Sequence, residues 1–213
     1  LLYLDTDMVV NGSIAELYAT KMNHYPAAAV AEVNATENRP DLGIDENGTY
    51  FNAGVLLMNL PEWRKQQVSE KALQFIYDYP EKIVFVDQDA LNVVLKNNYL
   101  PLEGKYNVVF HDVPRHLSNR AYRRFASNKV IVHYTNADKP WNPLGRNPLR
   151  FLYFDYLKQS PKNTSKRYLG FQPTPRNVLK VLQLKAKESV YNFHTVVLLL
   201  ERLGLVDKSP VLK

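Results

Sequence analysis

Asp5 and Asp7, in Leu1-Leu2-Tyr3-Leu4-Asp5-Thr6-Asp7, are two carboxylates at the end of an apolar strand pattern. They can converge on one ion only if the chain turns there, because strand side chains alternate faces. Such a turn makes a hard, oxygen-rich pocket suited to Mg2+ or Mn2+ bridging phosphates. A lone Asp-x-Asp is weak, since most are surface turns. Here an apolar strand delivers the pair to the C-terminal edge of an expected sheet, where α/β proteins bind ligands.

Three later clusters carry chemistry of their own. Within Phe51 to Leu60, Asn52-Ala53-Gly54 puts a polar amide and two tiny residues inside an apolar strand. Glycine weakens a strand unless something approaches its backbone closely, so the stretch is either an ordinary bulge or a wall for a sugar ring. Asp87-Gln88-Asp89 precedes Ala90-Leu91-Asn92, and Asp87 taken alone reads as a helix cap. His133 opens His133-Tyr134-Thr135-Asn136-Ala137-Asp138-Lys139-Pro140-Trp141 after a strand. An imidazole suits Mn2+ better than Mg2+, and Lys139 can neutralise a phosphate. Alone, His133 is more often a structural histidine.

Two families compete for these residues. Leu2 to Val10 (LYLDTDMVV) is similar to the first motif of haloacid-dehalogenase-like phosphatases, with a nucleophilic Asp5 and a general-acid Asp7. That class also needs a downstream Lys and a Gly-Asp-rich acidic motif, and Asp87-Gln88-Asp89 lacks the glycine context. The four clusters together, in this order, resemble glycosyltransferase family 8, which includes bacterial lipopolysaccharide α-galactosyl- and α-glucosyltransferases and glycogenin. The resemblance runs from about Leu1 to Trp141. A non-catalytic fragment or homologue acting as a binding module is the third reading.

The family 8 resemblance implies a GT-A fold, a UDP-hexose donor, Mn2+ (with Mg2+ as the alternative) and retention of anomeric configuration. By motif, Asp5, Asp7 and His133 match metal ligands, and Lys139 matches the diphosphate contact. Asn52, Ala53 and Gly54 resemble the donor-sugar wall. Asp87 resembles the residue that binds donor-sugar hydroxyls, and Gln88 the one beside the anomeric carbon. Glu32, ending the Ala27 to Val33 run, matches an acidic sugar-binding position where the family usually has Asp. Asn136 stands where many members have Gly, beside the diphosphate loop. No side chain is an obvious strong nucleophile, which favours front-face attack by the acceptor hydroxyl, with Asp87 or Asp89 left open as a nucleophile. In the family, βα units that hold uracil and ribose precede the Asp-x-Asp strand. The chain is therefore expected to lack its N-terminal βα units and to bind UDP weakly by itself.

The elements that must position these residues read as an α/β alternation with a helical C-terminal appendage. Leu1 to Leu4 is a strand, and Ser13-Ile14-Ala15-Glu16 is a capping-box pattern that starts a helix to about Met22. Ala27 to Val33 is a strand, residues 34–49 a polar loop, and Tyr50 to Leu60 a strand. Pro61 suits the first turn of a helix to Tyr79. Ile83 to Val86 reads as a strand, Asp87 to Asn97 as a helix, Leu100 to Phe110 as extended and Val130 to Tyr134 as a strand. Pro148 to Leu157 reads as a helix. A linker from Ser160 to Pro175 then leads to one or two helices between Asn177 and Leu203. The expected division is a catalytic domain over 1–157 and a basic helical appendage over 158–213.

Composition bounds the class. The 213 residues, 46% hydrophobic with 14 Tyr, suffice for a real core. Zero Cys excludes a disulfide scaffold and thiolate chemistry, and favours a reducing compartment. The longest apolar candidate, Val196 to Leu200, falls far short of the roughly 18 residues of a membrane span. The net charge of +6 is uneven: residues 156–213 hold 11 Lys/Arg against 3 Asp/Glu, while residues 1–155 hold 16 against 18. A basic amphipathic tail can attract anionic lipid at about 1 kcal/mol per well-placed cation. The expected location is therefore cytoplasmic, peripheral at the inner face of the membrane, with a saccharide or glycolipid acceptor. No nucleic-acid motif accompanies the charge. Sequons at Asn11, Asn34, Asn47 and Asn163 read as chance.

Overall fold

The computed structural model describes residues 1–32, 39–44, 49–135, 137–161 and 171–205. Among them, six short strands form two sheets. β1 (Leu2–Leu4) runs antiparallel to β4 (Val55–Met58), β4 antiparallel to β3 (Ala27–Ala29), and β3 parallel to β5 (Leu100–Pro101). The order is β1-β4-β3-β5. A second sheet pairs β2 (Met8–Val10) antiparallel with β6 (Ile131–His133), with Met8 opposite His133. Asp5-Thr6-Asp7 is thus the crossing from one sheet to the other.

The helices are α1 (Ala15–Tyr18), α2 (Leu60–Lys65), α3 (Val68–Asp78), α4 (Val86–Val94), α5 (Asn119–Ala126), α6 (Arg150–Leu157), α7 (Pro175–Val190) and α8 (His194–Arg202). Phe51, Leu56, Trp63, Val68, Leu91 and Leu95 form one core, under α2 to α4. Val9, Val132, Tyr134, Leu149 and Leu152 form another, between the second sheet and α5–α6. Val30, Val55, Tyr106 and Ile131 fill the seam between the sheets. Each fully buried large side chain, such as Leu95 or Ile131, contributes roughly 1.5–3 kcal/mol of transfer free energy. The crossing segment therefore lies where the two sheets meet.

Several elements differ from expectation for identifiable reasons. The Pro61 to Tyr79 helix is two helices, because Gln67 takes a left-handed φ of 55° between α2 and α3. Ile83 to Val86 forms no strand. The Val84 and Phe85 N–H groups both donate to Asp89 Oδ2 at 2.7 Å, which folds the segment over the start of α4 and leaves Val84, Phe85 and Val86 exposed. Val86 is pinned at φ 46°, a strained backbone for a β-branched residue, immediately before Asp87 and Gln88. The extended stretch ends at Pro101, which cannot donate to a ladder, and gives way to 3-10 turns at Gly104–Tyr106 and Phe110–Asp112.

Elsewhere, the Ser13 hydroxyl accepts from the Ala15 N–H, with no reciprocal capping-box bond among the described residues, and α1 ends at Tyr18. Asn52-Ala53-Gly54 is a turn before β4 rather than a break inside it. β2 and α5 were not expected: β2 is three residues long, and α5 is mostly polar and starts at a Ser118 cap. The Asn11 amide donates to the Ala126 and Lys129 carbonyls at 3.0 Å. Asn34, Asn47, Asn163, Asn136, most of the 34–49 loop and most of the 160–175 linker lie outside the described residues.

α7 is capped by Thr174, whose hydroxyl accepts from the Asn177 N–H at 3.2 Å, with Pro175 in its first turn. It is tied to the rest of the chain by an Arg150–Glu188 pair at 3.2 Å and by the Tyr191 ring against His116. Among the described residues, no helix is long and apolar enough to cross a membrane.

Candidate active site

Three backbone bonds assemble the site. The Asp5 N–H donates to Gly54 O at 2.9 Å, the Tyr134 N–H to Asp7 O at 2.9 Å, and the His133 N–H to Val108 O at 2.9 Å. The first joins the crossing segment to the Asn52–Gly54 turn, and the second joins it to the end of β6. As a result Asp5, Asp7 and His133 each offer one ligand atom, all within 4.8 Å of one another. His133 Nε2 lies 3.1 Å from Asp7 Oδ1 and 3.5 Å from Asp5 Oδ2. Gly54 is the floor beneath them. A Cβ there would stand 2.4 Å from His133 Cε1 and 2.8 Å from Asp5 Oδ2, so any larger residue would displace the cluster.

The electrostatics fit a hard cation. Burial works against charge on the Asp7 carboxyl, but the hydrogen bond from Lys139 and the positive charge of its ammonium oppose it, and Asp7 is held below the usual carboxylate range. Burial pushes His133 down despite the two carboxylates, so the imidazole is neutral and free to ligate. The Lys139 ammonium pairs with Asp7 Oδ2 and donates to Tyr134 O at 2.6 Å. Asp138 Oδ1 accepts from the Arg146 N–H at 2.8 Å, closing the loop that carries Lys139. Two carboxylates and one imidazole suit Mn2+ or Mg2+, and the residues present fit such an ion.

A hydrogen-bond chain runs from His133 to the donor-side residues. Asn52 Oδ1 accepts from the Gly54 N–H at 3.0 Å and from Asn107 Nδ2 at 2.9 Å. A backbone N–H can only donate, so this fixes the Asn52 amide, and with it Asn107, whose Oδ1 faces His133 Nδ1 at 3.1 Å. His133 therefore carries its proton on Nδ1 and turns the Nε2 lone pair toward the carboxylates. Asn52 Nδ2 donates to Glu32 Oε1 at 3.2 Å and Gln88 Oε1 at 3.1 Å. Gln88 Oε1 also accepts from the Ala53 N–H, and Gln88 Nε2 donates to the Tyr50 hydroxyl at 3.0 Å. The other Gln88 N–H makes no hydrogen bond among the described residues and is available to a ligand.

Asn52, Ala53, Gly54, Gln88 and Glu32 are thus brought together beside Asp5, Asp7, His133 and Lys139. Asp87 stands apart. It is exposed in the first turn of α4 and makes no hydrogen bond among the described residues, although its charge reaches Tyr3. Asp89 is fully buried, and both its oxygens are taken by Arg39, Tyr50, Val84 and Phe85. That removes it as a nucleophile. Asn136 lies outside the described residues. Burial raises Glu32; the Asn52 bond opposes this and Asp112 adds to it.

Two site residues had no place in the sequence reading. Tyr3 donates to Asp5 Oδ1 at 2.8 Å, and that bond chiefly pushes its hydroxyl up to about 12. Its position two residues before Asp5, on the same strand face, was the available signal. Asn107 had none: its side chain reaches His133 only because Val108 bridges β6.

A model of the family described as Glycosyl transferase family 8 matches residues 1–145. General stress protein A of Bacillus subtilis is 30% identical over 172 residues, covering 77% of this chain and 60% of the relative. A lipopolysaccharide 1,2-glucosyltransferase of Escherichia coli is 35% identical over 150 residues, covering 67% and 44%. The chain therefore spans about half the length of these relatives. A crystal structure of the galactosyltransferase LgtC with donor and acceptor sugar analogs superposes at a TM-score of 0.63 with 22% identity, covering 78% of this chain and 63% of that one. The shared architecture is the GT-A fold.

Proposed function

The chain belongs to glycosyl transferase family 8, and from that premise we propose that the full-length protein moves a hexose, glucose or galactose, from a UDP-sugar to an acceptor hydroxyl with retention of configuration. The acceptor we propose is a cell-surface glycan or a lipid-linked saccharide. The observation that carries the reading is the Asp5–Asp7–His133 cluster over Gly54, joined by hydrogen bonds to Gln88 and Glu32. Family membership leaves the phosphatase alternative without support.

Asp5, Asp7 and His133 would hold Mn2+ or Mg2+, which when bound offsets negative charge on the departing diphosphate. Lys139 brings a second positive charge to the same place. Glu32 and the free Gln88 N–H orient the donor sugar, with Asp87 contacting its hydroxyls from the exposed rim. With Asp89 sealed and Gln88 an amide, attack comes from the acceptor hydroxyl on the face the nucleotide leaves. The bond from C1 to the phosphate oxygen breaks, the bond from C1 to the acceptor oxygen forms, and the acceptor proton passes to the leaving phosphate.

The α7–α8 segment supports a peripheral cytoplasmic placement. Leu179, Leu182, Phe193, Leu199 and Leu203 are exposed beside Arg176, Lys180 and Arg202, a composition that suits an anionic lipid surface. One assay tests both statements: UDP release from UDP-glucose, UDP-galactose and their N-acetyl forms by the full-length protein, with Mn2+ and with or without anionic vesicles. Release from a single hexose donor, stimulated by the vesicles, is expected. Release from none of the four would end the transferase reading, and indifference to vesicles would end the membrane contact.

Asn107 is expected to set metal affinity without touching the ion. Asn107→Ala should weaken Mn2+ binding by roughly 10- to 100-fold, because the imidazole loses the bond that selects its tautomer. Direct Mn2+ titration reads this, with thermal melting to confirm the fold. Unchanged affinity in a folded variant would refute the role.

A further inference from the structure

A cleft of about 610 Å³ opens between the 110–117 segment, α5, α6 and α7. That size is ordinary for a small-molecule site. Seven Lys and Arg side chains line it against two carboxylates, Asp155 and Glu188. Arg123 and Lys158 share Asp155 at 3.1 and 3.3 Å, and Arg150 holds Glu188 at 3.2 Å. Arg146 pairs with Asp138 outside the lining set at 3.5 Å. Arg115, Lys185 and Lys187 have no carboxylate partner among the described residues.

Part of this charge is held in position. The Arg123 guanidinium lies over the Phe151 ring at 4.5 Å, and Arg150 donates a second bond to Gly145 O at 3.0 Å. Pre-aimed planar guanidinium groups can bond a pair of phosphate oxygens at once, and an excess of one sign in a partly apolar cleft concentrates the opposite ion. Phe110, Phe151 and Tyr191 add flat apolar faces suited to a pyranose ring.

The cleft also adjoins the donor site. Phe110 lines it, while the next two residues, His111 and Asp112, supply the charges that act on Glu32. Arg146 lines it, while its backbone N–H is bonded to Asp138, the neighbour of Lys139. Two walls of the cleft therefore grow from the rim of the catalytic cluster.

We propose that this cleft binds the phosphate-bearing part of the acceptor, a phosphorylated saccharide whose reacting end lies toward Glu32. The word acceptor rests on the transferase reading; the affinity for a phosphosaccharide does not.

The test titrates the full-length protein with glucose 6-phosphate and with glucose, in the absence of nucleotide and metal. Glucose 6-phosphate is expected to bind at least about tenfold more tightly. The double variant Lys185→Glu/Lys187→Glu, two exposed positions on α7, should remove that preference while UDP–Mn2+ binding stays unchanged. Equal binding of the two sugars, or an unaltered preference in the variant, overturns the proposal. Phosphatidylglycerol vesicles are the second arm, since a lipid headgroup offers the same phosphate chemistry. If they displace glucose 6-phosphate through Lys185 and Lys187, the saccharide assignment falls; failure to displace it supports the assignment. UDP release by the unaltered protein tests the transferase reading separately, so the two can fail independently.

Discussion

Asp7→Asn in the full-length protein is expected to lower metal-dependent sugar transfer by on the order of 10³-fold or more, with the fold intact. The amide keeps the volume of the carboxylate, and the backbone bond from the Tyr134 N–H to Asp7 O is untouched. The charge that faces His133 and Lys139 is lost. The two carboxylates and His133 would become one carboxylate, one amide and a histidine, a much poorer set for a hard divalent ion. The amide N–H would either face the Lys139 ammonium or bond the His133 Nε2 lone pair, which would then be taken from the ion. The measurement is UDP release against Mn2+ concentration, beside circular dichroism and thermal melting. Wild-type turnover in the folded variant would remove Asp7 from the ligand set.

Asp89→Asn is expected to cost stability rather than a catalytic contact, by about 3–5 kcal/mol, as for breaking one partner of a buried pair. Asp89 has no exposure. Its Oδ1 accepts from Arg39 at 2.8 Å and Tyr50 at 2.7 Å, and its Oδ2 accepts from the Val84 and Phe85 N–H groups. The amide would leave Arg39 half-paired inside the protein and set an N–H against donors. Donor-site geometry should suffer with it, because Tyr50 also holds Gln88.

The pH dependence has a definite sign. Burial opposes the Asp89 charge, but its hydrogen bonds more than compensate and lower its folded-state value. The unfolded chain then binds more protons in acid, so the contribution is fully present above about pH 4 and is lost as pH falls through the folded value. Denaturant midpoints measured from pH 6 to pH 3 should decline in the wild type and decline less in Asp89→Asn. Identical slopes would show that Asp89 does not carry this linkage.

Much of the site was legible because its residues announce themselves by type. Paired carboxylates after an apolar strand, an amide–Ala–Gly triplet, Asp87-Gln88, and His133 with Lys139 are unusual enough in combination to point to one chemistry. What they touch was less legible. The apolar run Ile83 to Val86 looks like a strand, yet the Asp89 carboxylate captures its N–H groups, a long-range outcome that periodicity cannot register. Asp89, which the sequence left open as a nucleophile, proved to be a fully buried charge with both oxygens taken.

The sequence alone determined the chemical inventory and the family, because ligand type, strand hydrophobicity and motif order are local properties. It also determined that Asp5 and Asp7 follow an apolar strand, although that strand proved to be an edge strand with Tyr3 exposed rather than a buried one. Only the tertiary structure decided that the segment between them crosses from one sheet to another, since strand pairing joins residues far apart in the chain. That crossing brings His133 opposite Met8 and Gly54 beneath Asp5. It likewise decided the tautomer of His133, through Asn107 and Asn52, because a hydrogen bond's direction follows from which donors meet in space.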